Sequence, residues 1–134
     1  MKKVMACFVV APAPAFFGGP LFAGPTPTDL RGTIANHIKT QENNQGAFMV
    51  VDERTNESRR LELVQIHERV GKTGDYYYSC TDMKDVKTGD LLDLDFDIQD
   101  NNEKLDVAAI RIHKDNGKPR YTYDDKDNRI PVNS

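Results

Sequence analysis

One short stretch limits the folds open to this chain more than any other. From Leu91 to Gln99 the sequence reads LLDLDFDIQ, in which apolar and acidic residues alternate. A period of two is typical of a β-strand, because successive side chains of a strand point to opposite faces of the sheet. We expect the apolar face to pack against a helix and the acidic face to point away from it. The apolar residues are Leu92, Leu94, Phe96 and Ile98, and the acidic residues are Asp93, Asp95 and Asp97.

These three aspartates do not form a metal site by themselves. Same-face neighbours on a strand lie about 7 Å apart, so one ion is held by such a row only if other strands supply ligands. A calcium loop places its acids on a tight turn with glycine, whereas leucine and phenylalanine separate the acids here. Two interpretations remain: a solvated, charge-balanced sheet face, or a polar surface that recognises a ligand.

The rest of the chain predicts one helix followed by a series of strands. Apolar residues recur at helical spacing from Leu30 to Ile38, with a start at Thr28 or Asp29 and an end at Gly46. After Gly46 the period changes to two, and turn signals separate the segments. The predicted strands are 47–53, 59–70, 76–83, 91–99, 105–114 and 118–124, and residues 125–134 are predicted to be a loose tail.

This order of elements predicts an α+β fold, in which one N-terminal helix packs on a mostly antiparallel meander sheet. The connections between strands are short, which favours hairpins and leaves no room for parallel crossovers. Asn116-Gly117 is a hairpin signal, and Pro119 places the last strand at an edge of the sheet. A dinucleotide-binding fold is therefore excluded, and the chain also lacks a glycine-rich phosphate loop.

Basic residues on the neighbouring strands are expected beside the acidic row. Arg111 and His113 alternate on one face of 105–114, and they meet the aspartates if the two strands match their apolar faces. His67 alternates with Gln65 and Arg69 on 59–70, and can join the same surface. We assign no catalytic residue, no metal ligand and no cofactor. The predicted binding residues are His67, Asp95, Arg111 and His113.

The N-terminal segment predicts export. Lys2 and Lys3 precede an apolar stretch rich in small residues, and the next charged residue is Asp29. This pattern is typical of a secretory signal peptide, with cleavage near Ala23 or, alternatively, after Ala15. We expect a signal peptide at 1–23 and a single domain at 24–134, exported to the periplasm or secreted, with no membrane attachment after cleavage.

The composition of the chain limits the classes of partner that it can bind. The net charge of −3 and the lack of a basic patch argue against nucleic acid. Cys80 would be the one cysteine left after cleavage, and it is either buried or a reactive or intermolecular thiol. No common catalytic motif is present, so an enzyme is less expected than a non-catalytic binding module for an unknown protein or small ligand. A small hydrolase or metal-dependent enzyme using His67, Asp95 and His113 stays an alternative.

The layout of residues 26–114 resembles the cystatin-like fold. In cystatins the strand after the helix enters a hairpin that carries a Q-x-V-x-G motif, with a tyrosine soon after it. The comparable stretch here is VQIHERVGKTGDYYY, which contains Gln65 and Gly71 at a different spacing, and the chain has no tryptophan for the second cystatin hairpin. The resemblance implies the fold, and it makes a cystatin-type protease inhibitor a second functional hypothesis.

Overall fold

A computed structural model describes residues 24–132. The predicted signal peptide at 1–23 lies outside the described residues. One helix, α1 (Pro27–Gln45), precedes all the strands, so the predicted α+β class is confirmed. The strands are β1 (Phe48–Asp52), β2 (Glu57–Thr73), β3 (Tyr76–Asp85), β4 (Leu91–Asp100), β5 (Leu105–Asp115), β6 (Lys118–Pro119), β7 (Tyr121–Tyr123) and β8 (Arg129–Pro131).

The helix begins earlier than the sequence predicted. Its N-cap is Thr26, not Thr28 or Asp29, because Thr26 forms a capping box. The backbone N–H of Asp29 donates to Thr26 Oγ1 at 3.0 Å, and the backbone N–H of Thr26 donates to Asp29 Oδ2 at 3.1 Å. Pro27 then occupies the first turn, where a missing N–H does no harm. The predicted end is confirmed at Gly46, which adopts φ 79°.

The first six strands form one antiparallel sheet in the order β1-β2-β3-β4-β5-β6, which is the predicted meander. The predicted inward face of β4 is confirmed, since its four apolar side chains are at most 2% exposed. They pack with Leu30, Ile34 and Ile38 of α1. Phe48 of β1 joins this core, and its ring stacks on that of Phe96 with centroids 6.0 Å apart.

Residues at the two edges of the six-stranded sheet meet at one end. Arg120 follows the edge strand β6 and donates to Asp52 of the opposite edge strand β1 at 2.7 Å. Arg59 of β2 binds carboxylates on three other strands and one turn at the same end. We name these residues the arginine cluster: Arg59, Arg120, Asp52, Asp85, Asp90 and Asp115.

The C-terminal residues fold over the acidic face of the sheet. The predicted strand 118–124 is divided into β6, which pairs with β5, and β7, which pairs with β8 in a separate two-stranded sheet. The prediction of a loose tail at 125–134 is wrong as far as residue 132, because Arg129 of β8 binds Asp97 at 2.6 and 2.9 Å. The β7–β8 hairpin therefore covers a face that the alternation alone would leave in water.

Candidate functional site

The aspartates of β4 lie on the predicted face, but they are not solvated. Asp95 is 0% exposed and Asp97 is 2% exposed, so the interpretation as a wet sheet face is wrong. β4 lies between β3 and β5, and Asp95 is directly opposite Cys80 on one side and Arg111 on the other. The two neighbouring strands and the β7–β8 hairpin together exclude water from the middle of the acidic row.

A β-bulge places His113 over this row. Asp93 pairs with Lys114 and Leu94 pairs with Ile112, which leaves His113 without a register partner. The extra residue points to the acidic face between two aspartates. Its Nδ1 lies 4.0 Å from Asp93 Oδ1 and 3.9 Å from Asp95 Oδ1. Bulges re-aim individual side chains and are frequent beside functional sites.

Two tyrosines from β7 close the site from above. The hydroxyls of Tyr121 and Tyr123 both donate to Asp95 Oδ2, each at 2.5 Å. The ring of Tyr121 stacks on the imidazole of His113 with centroids 4.7 Å apart, and Tyr123 stacks on Tyr78 at 4.8 Å. Burial, and then the neighbouring carboxylate of Asp95, raise the pKa values of the Tyr121 and Tyr123 hydroxyls. Both hydroxyls therefore remain donors at neutral pH.

Arginines neutralise the far end of the row. Arg129 donates two hydrogen bonds to Asp97, and Arg111 donates a third. The Arg129 guanidinium also lies 5.4–5.5 Å from the centroids of three tyrosine rings, which is within cation–π range. Burial by itself lowers the pKa of Arg129, but the hydrogen bonds to Asp97 raise that pKa above its usual range. This side chain therefore stays charged.

The middle of the row contains a mixed set of donor atoms, which we name the ligand cluster. Cys80 Sγ donates to Asp95 Oδ1 at 2.6 Å. One ligand-type atom from each of four residues lies within 4.8 Å of the other three. Asp93 Oδ1 and His113 Nδ1 are buried and have no hydrogen-bond partner. The ligand cluster consists of Cys80, Asp93, Asp95 and His113.

The protonation of the ligand cluster is set by burial. Burial, and then the carboxylate of Asp95, raise the pKa of the Cys80 thiol far above its usual range. In this state the thiolate is disfavoured, which argues against the reactive-thiol interpretation of Cys80. Burial also raises the pKa of Asp93, and the nearby imidazole of His113 offsets part of that rise. Burial therefore disfavours the charged forms of both Cys80 and Asp93.

His67 occupies a second irregular stretch on the same face. The register between β2 and β3 shifts between Ile66 and Val70, and His67 lies within that shift. Its Nε2 is 2.9 Å from Asp82 Oδ1. His67, Asp82 and Asp93 form an outer set whose ligand-type atoms also lie within 4.8 Å of one another. This outer set is more open than the ligand cluster, with His67 32% and Asp82 38% exposed at the side chain.

Of the four predicted binding residues, the structure brings Asp95, Arg111 and His113 together. Arg111 contacts Asp97 and is half-open, at 42% side-chain exposure. His67 reaches the same face but is linked to the others only through Asp82 and Asp93. The prediction missed Cys80 as a neighbour of Asp95, although both alternate onto one face. It also missed the two tyrosines, whose i, i+2 spacing in YTY was the available signal.

Comparison of the chain with family models, curated proteins and solved structures gave no match. The functional assignment therefore depends on the geometry of residues 24–132. Among those residues, no helix combines the length and the apolar character that crossing a bilayer requires.

Proposed function

We propose that this protein is an exported, non-catalytic binding module that holds a small ligand in the ligand cluster beneath the β7–β8 hairpin. One observation carries the proposal: Asp93 Oδ1 and His113 Nδ1 are buried, face each other at 4.0 Å, and have no hydrogen-bond partner. A buried polar atom without a partner loses the free energy of its lost hydration. A ligand that contacts both atoms would restore that interaction.

Burial favours a small ligand over a protein partner at this position. Asp95 is fully buried, and the side chain of His113 is 12% exposed. A protein surface needs exposed atoms to contact, and the tyrosines of β7 cover these. The more open residues of the predicted set, His67 and Arg111, lie at the margins of the cluster, so they are placed to guide a small species inward.

The hydrogen bonds of Asp95 favour binding over catalysis. A general acid or base must reach the proton that it transfers in the substrate. Asp95 instead accepts from two tyrosines and from Cys80, and it lies beneath them. A small hydrolase using His67, Asp95 and His113 would need a substrate to displace this cover. Ligand storage or sensing requires only that a small species enter.

Native mass spectrometry of the protein purified from its own host tests this function. We expect a bound species of low mass, lost from the variant Asp93→Asn, which replaces the charged carboxylate with a neutral amide. The same measurement reports whether residues 1–23 have been removed, which tests the export proposal. If the native protein carries no bound species at neutral pH, the binding proposal is contradicted.

Cystatin-type protease inhibition is the second candidate. The observation in its favour is the β2–β3 hairpin, whose tip at Gly74 and Asp75 is exposed, with Tyr76 38% exposed beside it. This hairpin lies after the helix along the chain, with β1 between them. Titration against papain-like proteases tests it. Inhibition that an altered tip weakens supports this function, and no inhibition at micromolar concentration excludes it.

A further inference from the structure

We propose that the ligand of this module is one divalent transition-metal ion of the zinc class, bound by Cys80 Sγ, Asp93 Oδ1, Asp95 Oδ1 and His113 Nδ1. This inference rests on the proposed function, since it names the ligand of the same cluster. Four donors is the number that a closed zinc site requires.

The donor atoms select the class of ion. A thiol sulfur and an imidazole nitrogen are ligands of zinc and its neighbours in the transition series, whereas calcium and magnesium take oxygen ligands. The two carboxylate oxygens complete a set that mixes one soft donor with three harder ones. The acidic row of β4 by itself would favour a hard cation. The partners from β3 and β5 change that preference.

The distances in the cluster are close to those of a tetrahedral site. Ligands about 2.0–2.3 Å from a zinc ion lie about 3.3–3.8 Å from one another. Here His113 Nδ1 is 3.9 Å from Asp95 Oδ1 and 4.0 Å from Asp93 Oδ1. A contraction of a few tenths of an ångström at each ligand would therefore bring these three atoms to an ion between them.

Cys80 is the ligand that must change most. Its Sγ is 2.6 Å from Asp95 Oδ1, which is a hydrogen-bond contact and shorter than the separation of two ligands on one ion. When the ion binds, the S–H bond breaks, its electron pair forms the sulfur–metal bond, and the proton leaves to solvent. The two atoms then separate by about 1 Å. The thiolate and two carboxylates bring three negative charges to a dication, and Arg129, 3.8 Å from Asp95, is placed to balance the remaining one.

The hydrogen bonds around Asp95 leave one oxygen for the ion. Its Oδ2 accepts from Tyr121 and Tyr123, while Oδ1 faces Cys80 and His113. Partners of this kind orient a ligating carboxylate, and their loss commonly weakens metal binding about 10- to 100-fold. Stacking on Tyr121 fixes the plane of the His113 ring in the same way. The tyrosines are therefore positioning residues for two of the four ligands.

Zinc titration of the protein, read by competition with a chromophoric chelator, tests the site. We expect one equivalent of Zn²⁺ to bind and to raise the melting temperature. The variant His113→Phe keeps a ring against Tyr121 but removes the nitrogen, and Asp93→Asn keeps the shape of the side chain. Each should weaken Zn²⁺ binding by at least about 100-fold, the upper end of the loss seen for outer partners. His37 of α1, whose ring contacts Phe48 and Phe96 in the core, gives the matched control: His37→Phe should leave the Zn²⁺ affinity unchanged. His67→Phe, in the outer set, should weaken Zn²⁺ binding less than His113→Phe does.

Substitution of Co²⁺ for Zn²⁺ identifies the sulfur ligand. We expect a near-ultraviolet charge-transfer band from thiolate to cobalt, present in the native protein and absent from Cys80→Ser. Equal Zn²⁺ affinity in His113→Phe and the native protein overturns the site. Loss of binding in His67→Phe but not in His113→Phe moves the ion to the outer set and also overturns it.

The outcome separates this inference from the proposed function. If neither Zn²⁺ nor Co²⁺ binds, but native mass spectrometry finds another small species that Asp93→Asn removes, the metal assignment is wrong and the binding module stands. If neither metal binds and no bound species is found, both fail.

Discussion

The arginine cluster and the ligand cluster use the same acidic residue type in opposite ways. In the arginine cluster each of the four aspartates accepts from a guanidinium within 3.3 Å. In the ligand cluster, Asp93 has a histidine at 4.0 Å, and Asp95 has its closest guanidinium contact at 3.8 Å. One cluster is complete with the protein's own cations. The other is the cluster in which we propose that a metal ion binds.

The pKa directions of two aspartates express this difference. Asp52 of the arginine cluster is 1% exposed, and its hydrogen bond to Arg120 holds its pKa well below the usual range. Asp93 is also largely covered, but burial raises its pKa because no arginine compensates. Burial alone therefore does not decide whether a carboxylate stabilises the fold. Whether a buried carboxylate stabilises the fold depends also on its nearest cation. The two clusters should therefore respond differently to substitution.

The largest effect should come from breaking the arginine cluster. Arg59 is 10% exposed and binds four aspartates, so Arg59→Met would leave Asp52 and Asp85 buried without this partner. Removing one partner from a buried ion pair costs about 3–5 kcal/mol. We expect a loss of that size in the free energy of unfolding, measured by urea denaturation. The neighbouring exposed Arg60→Met is the control and should change stability little, whereas equal losses would show that the cluster is not the cause.

Zinc should stabilise the ligand cluster without affecting the arginine cluster. At a free Zn²⁺ concentration 100 times the dissociation constant, binding to the folded state alone adds about 2.7 kcal/mol to the free energy of unfolding. We expect this gain in the native protein and in Arg59→Met, which breaks the arginine cluster, and we expect none in His113→Phe. A gain that persists in His113→Phe would place the ion away from the ligand cluster.

Acid should reduce the free energy of unfolding by protonating the aspartates of the arginine cluster. The pKa values of Asp52 and Asp85 are lowered in the folded state by their arginine partners and backbone donors. For a carboxyl group of this kind, the stabilisation is fully present above its unfolded pKa of about 3.9 and is lost as the pH falls through the folded value. One strongly paired aspartate contributes on the order of 2 kcal/mol in this way. Urea denaturation between pH 5 and pH 2 should show a steep loss, and a shallower one in Arg59→Met.

The sequence predicts these two clusters unequally. Alternation placed Asp93, Asp95 and Asp97 on one face and the apolar residues on the other, because the period of a strand is fixed by its backbone. The bulge at His113 is a tertiary feature, and a simple alternation does not reveal it, although the predicted proximity of His113 to Asp95 is correct.

Sequence patterns did not predict that the β7–β8 hairpin covers the ligand cluster. The segment 125–134 is polar and contains no apolar period, so it was predicted to be loose. Its order instead comes from single long-range contacts, such as Arg129 with Asp97, which no local pattern encodes. The arginine cluster was missed for the same reason: Arg59 meets Asp115 from 56 residues away. Both clusters depend on contacts between strands that are far apart in the sequence.

The smallest expected effect is also the one that sharpens the comparison most. Because burial raises the folded pKa of Asp93 above its unfolded value, the ionised form of Asp93 destabilises the fold at neutral pH, and this penalty disappears below the unfolded pKa of about 3.9. In the presence of a metal chelator, Asp93→Asn should therefore raise the free energy of unfolding at pH 7, by less than the loss expected for Arg59→Met.

At pH 3 the same substitution should have little effect, since both side chains are then uncharged. The exposed Asp125→Asn is the control and should change stability little at either pH. Asp52→Asn, in contrast, should destabilise the protein at pH 7, because it removes the charge that Arg120 and Arg59 bind. If Asp93→Asn also destabilises the metal-free protein at pH 7, the ligand cluster is already compensated by the chain's own cations. A binding site at Asp93 would then lose its physical basis.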